Sequence, residues 1–254
     1  MLLATDIGNT QTHVGCFDGD RLVESWRLAT DSAATGDELA VAISSLLRLR
    51  GLDLKDLGAA IVASVVPQLA PEYERMCRRY LDLDCLIVGP AIKTGMPIRM
   101  EAPRELGADR LVNAVAAYDR YERACVVVDF GTAITYDAIS DAGEYLGGVI
   151  APGIEISIDA LASRAAKLPK IDLIEPEAVI GKTTLQSIQA GIVYGFAGQI
   201  DGIARRLERE LGEGTPFIAT GGQAASIVPF CESIDDLDEM LTLTGLRLIW
   251  DLNR

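Results

Sequence analysis

Residues 2–20 read LLATDIGNTQTHVGCFDGD, and residues 126–144 read VVVDFGTAITYDAISDAGE. Each opens on an apolar run, closes it with an aspartate (Asp6, Asp129), and places a glycine two positions on (Gly8, Gly131), with a threonine close behind (Thr10, Thr132). A second strand-like stretch follows, Gln11–Phe17 in one and Ile134–Ile139 in the other, ended by a glycine turn at Asp18-Gly19 or Gly143. Short apolar runs bounded by turn residues read as strands, and Asp-Gly between two of them is a hairpin signal. Asp, Gly and Thr recur in the same order at matching strand ends. That predicts an internal duplication, with two related domains over 1–118 and 119–254 and a central cleft between them.

The pattern continues outward from both segments. Arg21–Leu28 reads as a third strand, Asp37–Leu49 as a helix stopped by Gly51, Ala59–Val65 as a strand, Leu69–Tyr80 as a helix and Cys85–Val88 as a strand. A proline-punctuated stretch, 89–107, leads to a helix over Asp109–Arg123 and a strand over Ala124–Val128. In the second half the spacing predicts helices over Ile154–Lys167, Thr184–Leu211 and Leu241–Asn253, and a strand over Pro216–Ala219 that runs into Thr220-Gly221-Gly222. Strands alternating with helices in both halves define an α/β fold.

Composition narrows the function classes. The 254 residues are 49% hydrophobic, enough for a substantial core, and the formal net charge is −14. Such an excess of acid argues against nucleic acid and against anionic membrane surfaces. No apolar run reaches about 20 residues, and Asp6 interrupts the first apolar stretch too early for a signal peptide. Five scattered cysteines without metal-ligand spacing read as reduced thiols, so a cytoplasmic protein is expected.

The two duplicated turns carry the chemistry. A carboxylate at a strand end can hold Mg²⁺, glycine lets backbone approach phosphate oxygens, and Asn9 and Thr10 add donors. Asp129-Phe130-Gly131-Thr132 repeats the design, and Gly221-Gly222 adds a third turn suited to a nucleotide lying against backbone. Gly181-Lys182-Thr183 is not the tail of a P-loop, because Pro176 stands where that motif needs a glycine. Asp109 and Arg110 open a helix. An aspartate there is often only a cap, but it can also accept the proton of an attacking hydroxyl while Arg110 pairs with a carboxylate. His13, the only histidine, sits within a strand and reads as structural.

Two acid–Gly–Thr turns followed by a Gly-Gly turn resemble the acetate and sugar kinase, Hsp70 and actin superfamily, whose fold is a pair of duplicated ribonuclease H-like (actin-like) domains. A closer resemblance covers essentially the whole chain. Asp6-Ile7-Gly8-Asn9-Thr10, Lys93-Thr94-Gly95, Pro103-Arg104-Glu105 with Gly107-Ala108-Asp109-Arg110, Asp129-Phe130-Gly131-Thr132-Ala133 and Gly147-Gly148 with Pro152-Gly153 are similar to type III pantothenate kinases, in that family's order. So are Ala166-Lys167-Leu168-Pro169, Gln189-Ala190-Gly191, Tyr194-Gly195, Thr220-Gly221-Gly222 and Leu241-Thr242-Leu243.

The resemblance implies ATP-dependent phosphorylation of pantothenate at the entry to coenzyme A synthesis. It implies that Asp6 organises Mg²⁺ and, with Gly8, Asn9, Thr10, Thr132, Gly221 and Gly222, the ATP phosphates and nucleotide. Asp109 would be the catalytic base, and Met100, Gly107, Ala108, Asp109 and Arg110 would line the pantothenate site. Asp129 would bind a monovalent cation, K⁺ or NH₄⁺. The family is a homodimer with sites at the subunit interface, so Thr184 would reach the pantothenate of the neighbouring subunit. The chain departs from the family at Met100 and Ala102, where tyrosine and asparagine are usual, at Thr183 (asparagine) and at Ile134 (threonine). These departures leave Asp6, Asp109 and Asp129 in place. They also motivate an alternative, a non-catalytic nucleotide- or pantothenate-binding regulatory homologue. A kinase of the same superfamily acting on another small hydroxylated acid or sugar is a third reading, which the Pro103–Arg110 motif disfavours.

Overall fold

A computed structural model describes residues 1–89, 92–165, 169 and 171–254. In chain order the elements are β1 (Leu2–Ile7), β2 (Gln11–Asp18), β3 (Arg21–Ala29), α1 (Gly36–Leu49), β4 (Ala59–Ser64), α2 (Leu69–Met76), β5 (Leu86–Ile87), α3 (Ala108–Tyr121), β6 (Cys125–Phe130), β7 (Ala133–Ile139), β8 (Tyr145–Pro152), α4 (Ile154–Arg164), α5 (Thr184–Leu211), β9 (Phe217–Thr220), α6 (Ala224–Ile227), β10 (Asp236–Leu237) and α7 (Leu241–Asp251). They form two compact units. The first holds Met1–Pro97, Glu101–Ala116 and Leu241–Arg254; the second holds Ile98–Met100 and Ala117–Met240. A break at 118/119 would leave α7 with the second half, but its packing assigns it to the first unit.

In the first unit the sheet order is β3-β2-β1-β4-β5, with β1, β2 and β3 an antiparallel meander and β4 parallel to β1. Strand β1 is apolar on both sides because both faces are covered. Leu3, Ile7, Val14 and Val62 meet Ala40, Ile43 and Leu47 of α1 and Leu69, Tyr73 and Met76 of α2. The helical spacing of those α1 residues directs one stripe inward. Thr35 starts the helix with a capping box closed by Glu38. The opposite face takes α7, whose Leu243 lies so near Gly15 that a Cβ there would sit 2.7 Å from it. Helix α2 ends sooner than its apolar periodicity suggests. It widens into a π turn over Cys77–Leu81 and stops at Asp82, which adopts the left-handed conformation (φ 54°).

The second unit repeats this plan. Its sheet order, β10-β9-β6-β7-β8, matches the first strand for strand, with β6, β7 and β8 antiparallel and β9 parallel to β6. Val126, Val128, Phe130, Ile134 and Tyr136 pack on Ile154 and Ile158 of α4 and on Ile188, Val193, Phe196, Ile200 and Ala204 of α5. The fold is therefore α/β with two duplicated mixed sheets, as the paired motifs predict. Both aspartates lie one residue inside the end of their strands rather than just beyond it. The expected helix end at Lys167, and Ala166-Lys167-Leu168 of the family motif, fall outside the described residues. Among the described residues no helix is long and apolar enough to cross a membrane.

Candidate active site

In the first unit, Asp6 stands half-buried at the end of β1, opposite His13 of β2. The chain turns through Gly8, Asn9 and Thr10. The Gly8 N–H donates to Gln11 O (3.0 Å), and Asn9 and Thr10 are exposed. Strand β3 braces this loop from outside. Thr30 Oγ1 donates to Gly8 O (2.8 Å), Thr30 N–H donates to Thr10 O (2.9 Å), and the Thr12 and Thr30 hydroxyls meet at 2.9 Å. His13 is only 6% exposed, and burial, aided by the nearby Arg27 charge, lowers its pKa to about 4. It is neutral at pH 7.

Asp109 lies in the same unit, in the first turn of α3. Gly107 O accepts the Leu111 N–H (3.2 Å) to start the helix, and the Arg110 N–H donates to Asp109 Oδ1 (2.8 Å). A Cβ on Gly107 would collide with that carboxylate oxygen and would lie 3.8 Å from Val65 Cγ1. Val65 N–H in turn donates to Ile7 O (3.0 Å), so one residue links the end of β1 to the Asp109 turn. Burial raises the Asp109 pKa above the ordinary carboxylate value, outweighing the Arg110 N–H and guanidinium, which pull the other way. A carboxylate so raised is a better proton acceptor at neutral pH than a fully solvated one.

In the second unit the corresponding turn is one residue shorter. Phe130 pairs with Ile134 around Gly131, Thr132 and Ala133, and the Gly131 N–H donates to Ala133 O (3.1 Å). Two glycine backbones press on it. Gly221 has φ +96°, and a Cβ there would fall 2.5 Å from Asp129 Oδ1 and 2.6 Å from Phe130 N. A Cβ on Gly153 would run into Thr132 O and sit 2.7 Å from Gly131 O. Gln223 N–H donates to Phe130 O (3.4 Å), fixing the Gly221-Gly222 turn beside Asp129. Among the described residues no three His, Cys, Asp or Glu side chains converge as a metal cage. One half-buried carboxylate beside exposed backbone and hydroxyls, in each unit, suits cations that take most of their other ligands from phosphate and water.

The remaining predicted residues lie elsewhere in the second unit. Met100 is half-buried, close to Gly147 of β8. Its segment is held by an Ile98–Tyr145 bridge, by Arg99 N–H donating to Tyr145 O (2.8 Å), and by Arg99 Nε donating to Glu144 (2.9 Å). Thr184 is exposed at the start of α5. Thr183 caps that helix, its Oγ1 accepting the Gln186 N–H (3.2 Å) while its own N–H donates to Gln186 Oε1 (3.2 Å). Threonine thus does the capping work that asparagine would do. Sequence reasoning missed the buried pair in which Tyr145 OH donates to Asp137 Oδ1 (2.5 Å), on the strand face shared with Thr135. The only available signal was a polar alternation, Thr135 and Asp137, set against the apolar Ile134 and Tyr136.

The family model for type III pantothenate kinase matches residues 2–206. The type III pantothenate kinase of Syntrophobacter fumaroxidans is 51% identical over 255 residues, covering 100% of this chain and 99% of that protein. In fold alone, the chain is similar to a crystal structure described as a Baf family transcriptional activator from Campylobacter jejuni (TM-score 0.60, 20% identity, 99% and 98% of the two chains). It is also similar to a ROK hexokinase from Thermus thermophilus (TM-score 0.52, 13% identity, 99% and 98%). Full-length identity of about one residue in two, together with the match to the family model, shows that the chain belongs to the type III pantothenate kinase family.

Proposed function

We propose that this chain performs the family's reaction, ATP plus pantothenate giving ADP plus 4′-phosphopantothenate, with Asp109 as the base. The observation that carries the assignment is the Asp109 turn: a half-buried carboxyl with a raised pKa, in a space that Gly107 leaves open. The pantothenate hydroxyl attacks the γ-phosphorus of ATP, the bond to the β-phosphate oxygen breaks, and the hydroxyl proton passes to Asp109. Phosphoryl transfer has a loose transition state, so the main task of Asp109 is to hold and orient the hydroxyl. Gly107, Ala108, Arg110 and Met100 would line the acceptor, with Arg110 facing its carboxylate. Asp6, Gly8, Asn9 and Thr10 would bind ATP phosphates, and Thr132, Gly221 and Gly222 are further ATP-binding residues in this reading. In this reading Asp6 holds Mg²⁺ and Asp129 holds K⁺ or NH₄⁺. When bound, these cations neutralise phosphate charge that a chain of net charge −14 would otherwise repel.

A homodimer is supported by the apolar surface around Thr184. A groove there is lined by Leu161, Thr184, Ile188 and Ile192, and the neighbouring residue Leu185 is exposed, as are Val179 and Ile180 shortly before α5. Exposed apolar side chains around an apolar groove are typical of association surfaces. The five free thiols fit a cytoplasmic enzyme.

The deciding experiment measures 4′-phosphopantothenate by mass spectrometry from MgATP and pantothenate, with Na⁺ alone and then with K⁺ or NH₄⁺. Asp109→Asn is assayed alongside. Product that depends on K⁺ or NH₄⁺, and a loss of about 10²–10⁴-fold in turnover for Asp109→Asn with ATP binding retained, are expected. An unchanged rate in the variant removes Asp109 as the base. No product from folded wild-type dimer under either condition turns the reading to the non-catalytic homologue.

A further inference from the structure

Three residues form one row across the first sheet. Asp6 of β1 is in register with His13 of β2, and His13 with Arg27 of β3. Register partners on neighbouring strands project from the same face. The neighbours of Arg27, Trp26 and Leu28, pack against the α1–α2 core, so Arg27 leaves the sheet on the other face, with Asp6. Arg27 is exposed, and among the described residues it makes no ion pair, although the chain carries 37 acidic side chains. Between the two, His13 is 6% exposed and its Nε2 has no hydrogen-bond partner among the described residues. Buried polar atoms are rarely left so. Two strand spacings, about 10 Å, separate the backbones of Asp6 and Arg27. A long arginine side chain can reach across much of that gap. Thr30, the first residue after the strand that carries Arg27, clamps the Gly8–Thr10 loop, so the end of that strand is tied to the loop.

We propose that Arg27 is a further ATP-binding residue whose guanidinium takes phosphate oxygens of the nucleotide held at the Asp6 hairpin. This rests on the assignment of that hairpin to the ATP phosphates. Arginine is suited to the task because its planar fork gives two parallel hydrogen bonds to a phosphate.

The test compares wild type, Arg27→Gln, Arg27→Lys and Asp6→Asn in steady-state kinetics and in equilibrium binding of ATP, with thermal melts confirming the fold. A charged hydrogen bond of this kind corresponds to a change of about tenfold or more. Arg27→Gln should raise KM for ATP and weaken ATP binding by about tenfold, leave KM for pantothenate within about twofold, and flatten the salt dependence of ATP binding. Arg27→Lys should fall between. If Asp6→Asn loses ATP binding while Arg27→Gln keeps it, the hairpin assignment stands and the Arg27 proposal is overturned. If neither variant changes ATP binding, the hairpin assignment itself fails. A rise in KM for pantothenate alone would also overturn the proposal by giving Arg27 to the other substrate.

Discussion

The two Asp–Gly–Thr hairpins share a topology but are held in different ways. The first has the longer loop and is braced by side-chain chemistry, through the Thr30 and Thr12 hydroxyls and the backbone of β3. The second is shorter by one residue and is braced by exclusion. Gly153 and Gly221 bring bare backbone against Thr132 O and Asp129 Oδ1 at distances no side chain permits. Duplication preserved the strand order and the position of the carboxylate, while each copy found its own way to fix the loop. A hydrogen-bonded brace loses stability in proportion to the bonds removed. A steric brace fails at the first added methyl group.

That contrast orders the expected effects. Gly153→Ala should be the most damaging, because its methyl group must displace the Gly131-Thr132 backbone. A displacement of about 1 Å can lower turnover by about 100-fold. Steady-state assay of the variant checks this, and near-wild-type activity would show that the second hairpin tolerates movement. Thr30→Val keeps the shape but removes the hydroxyl donor to Gly8 O, worth about 1 kcal/mol. A fall in ATP affinity of about fivefold is expected, measured by nucleotide binding. An effect as large as that of Gly153→Ala would erase the distinction between the two braces.

The smallest effect concerns stability, and it belongs to the first unit because that unit carries the raised carboxyl. The folded-state pKa of Asp109 lies above its unfolded value. Its contribution is therefore fully present below the unfolded pKa and is lost as pH rises through the folded one. At neutral pH the ionised carboxylate costs stability, so Asp109→Asn should melt slightly higher than wild type at pH 7. The gain should vanish at pH values below the ordinary carboxylate range. Melting curves across that interval test the sign, and a lower melting temperature at pH 7 would show that the charge is compensated.

Much of this organisation was legible in the chain. The paired motifs announced the duplication because an Asp, a Gly and a Thr at strand ends report directly on local backbone demands. Helices α1 and α5 were readable from apolar spacing, while their caps at Thr35 and Thr183 emerged only with the structure. What escaped notice depended on partners distant in sequence. Strand β10 has only two residues and exists because it pairs with β9. The π turn after α2 follows from how Cys77–Leu81 must close, which periodicity does not encode. Gly153 carried a family motif, yet its value lies in contact with the Gly131-Thr132 loop, distant in sequence. Tyr145 and Asp137 form a buried pair across neighbouring strands, and no local pattern reports such a pair.

Helix α7 has a consequence for how the protein is made. Its Leu241, Leu243, Leu246 and Ile249 are buried within the first unit, covering strands that emerge from the ribosome some 200 residues sooner. Until α7 is synthesised, the face of β1, β2 and β4 that it packs on has no cover from it. The domain begun first is therefore finished last, and the second can complete itself while the first waits. A nascent chain, or one terminated before α7, would display an apolar sheet face to chaperones, and arrival of α7, rather than collapse of the N-terminal half alone, would be the event that closes the first unit.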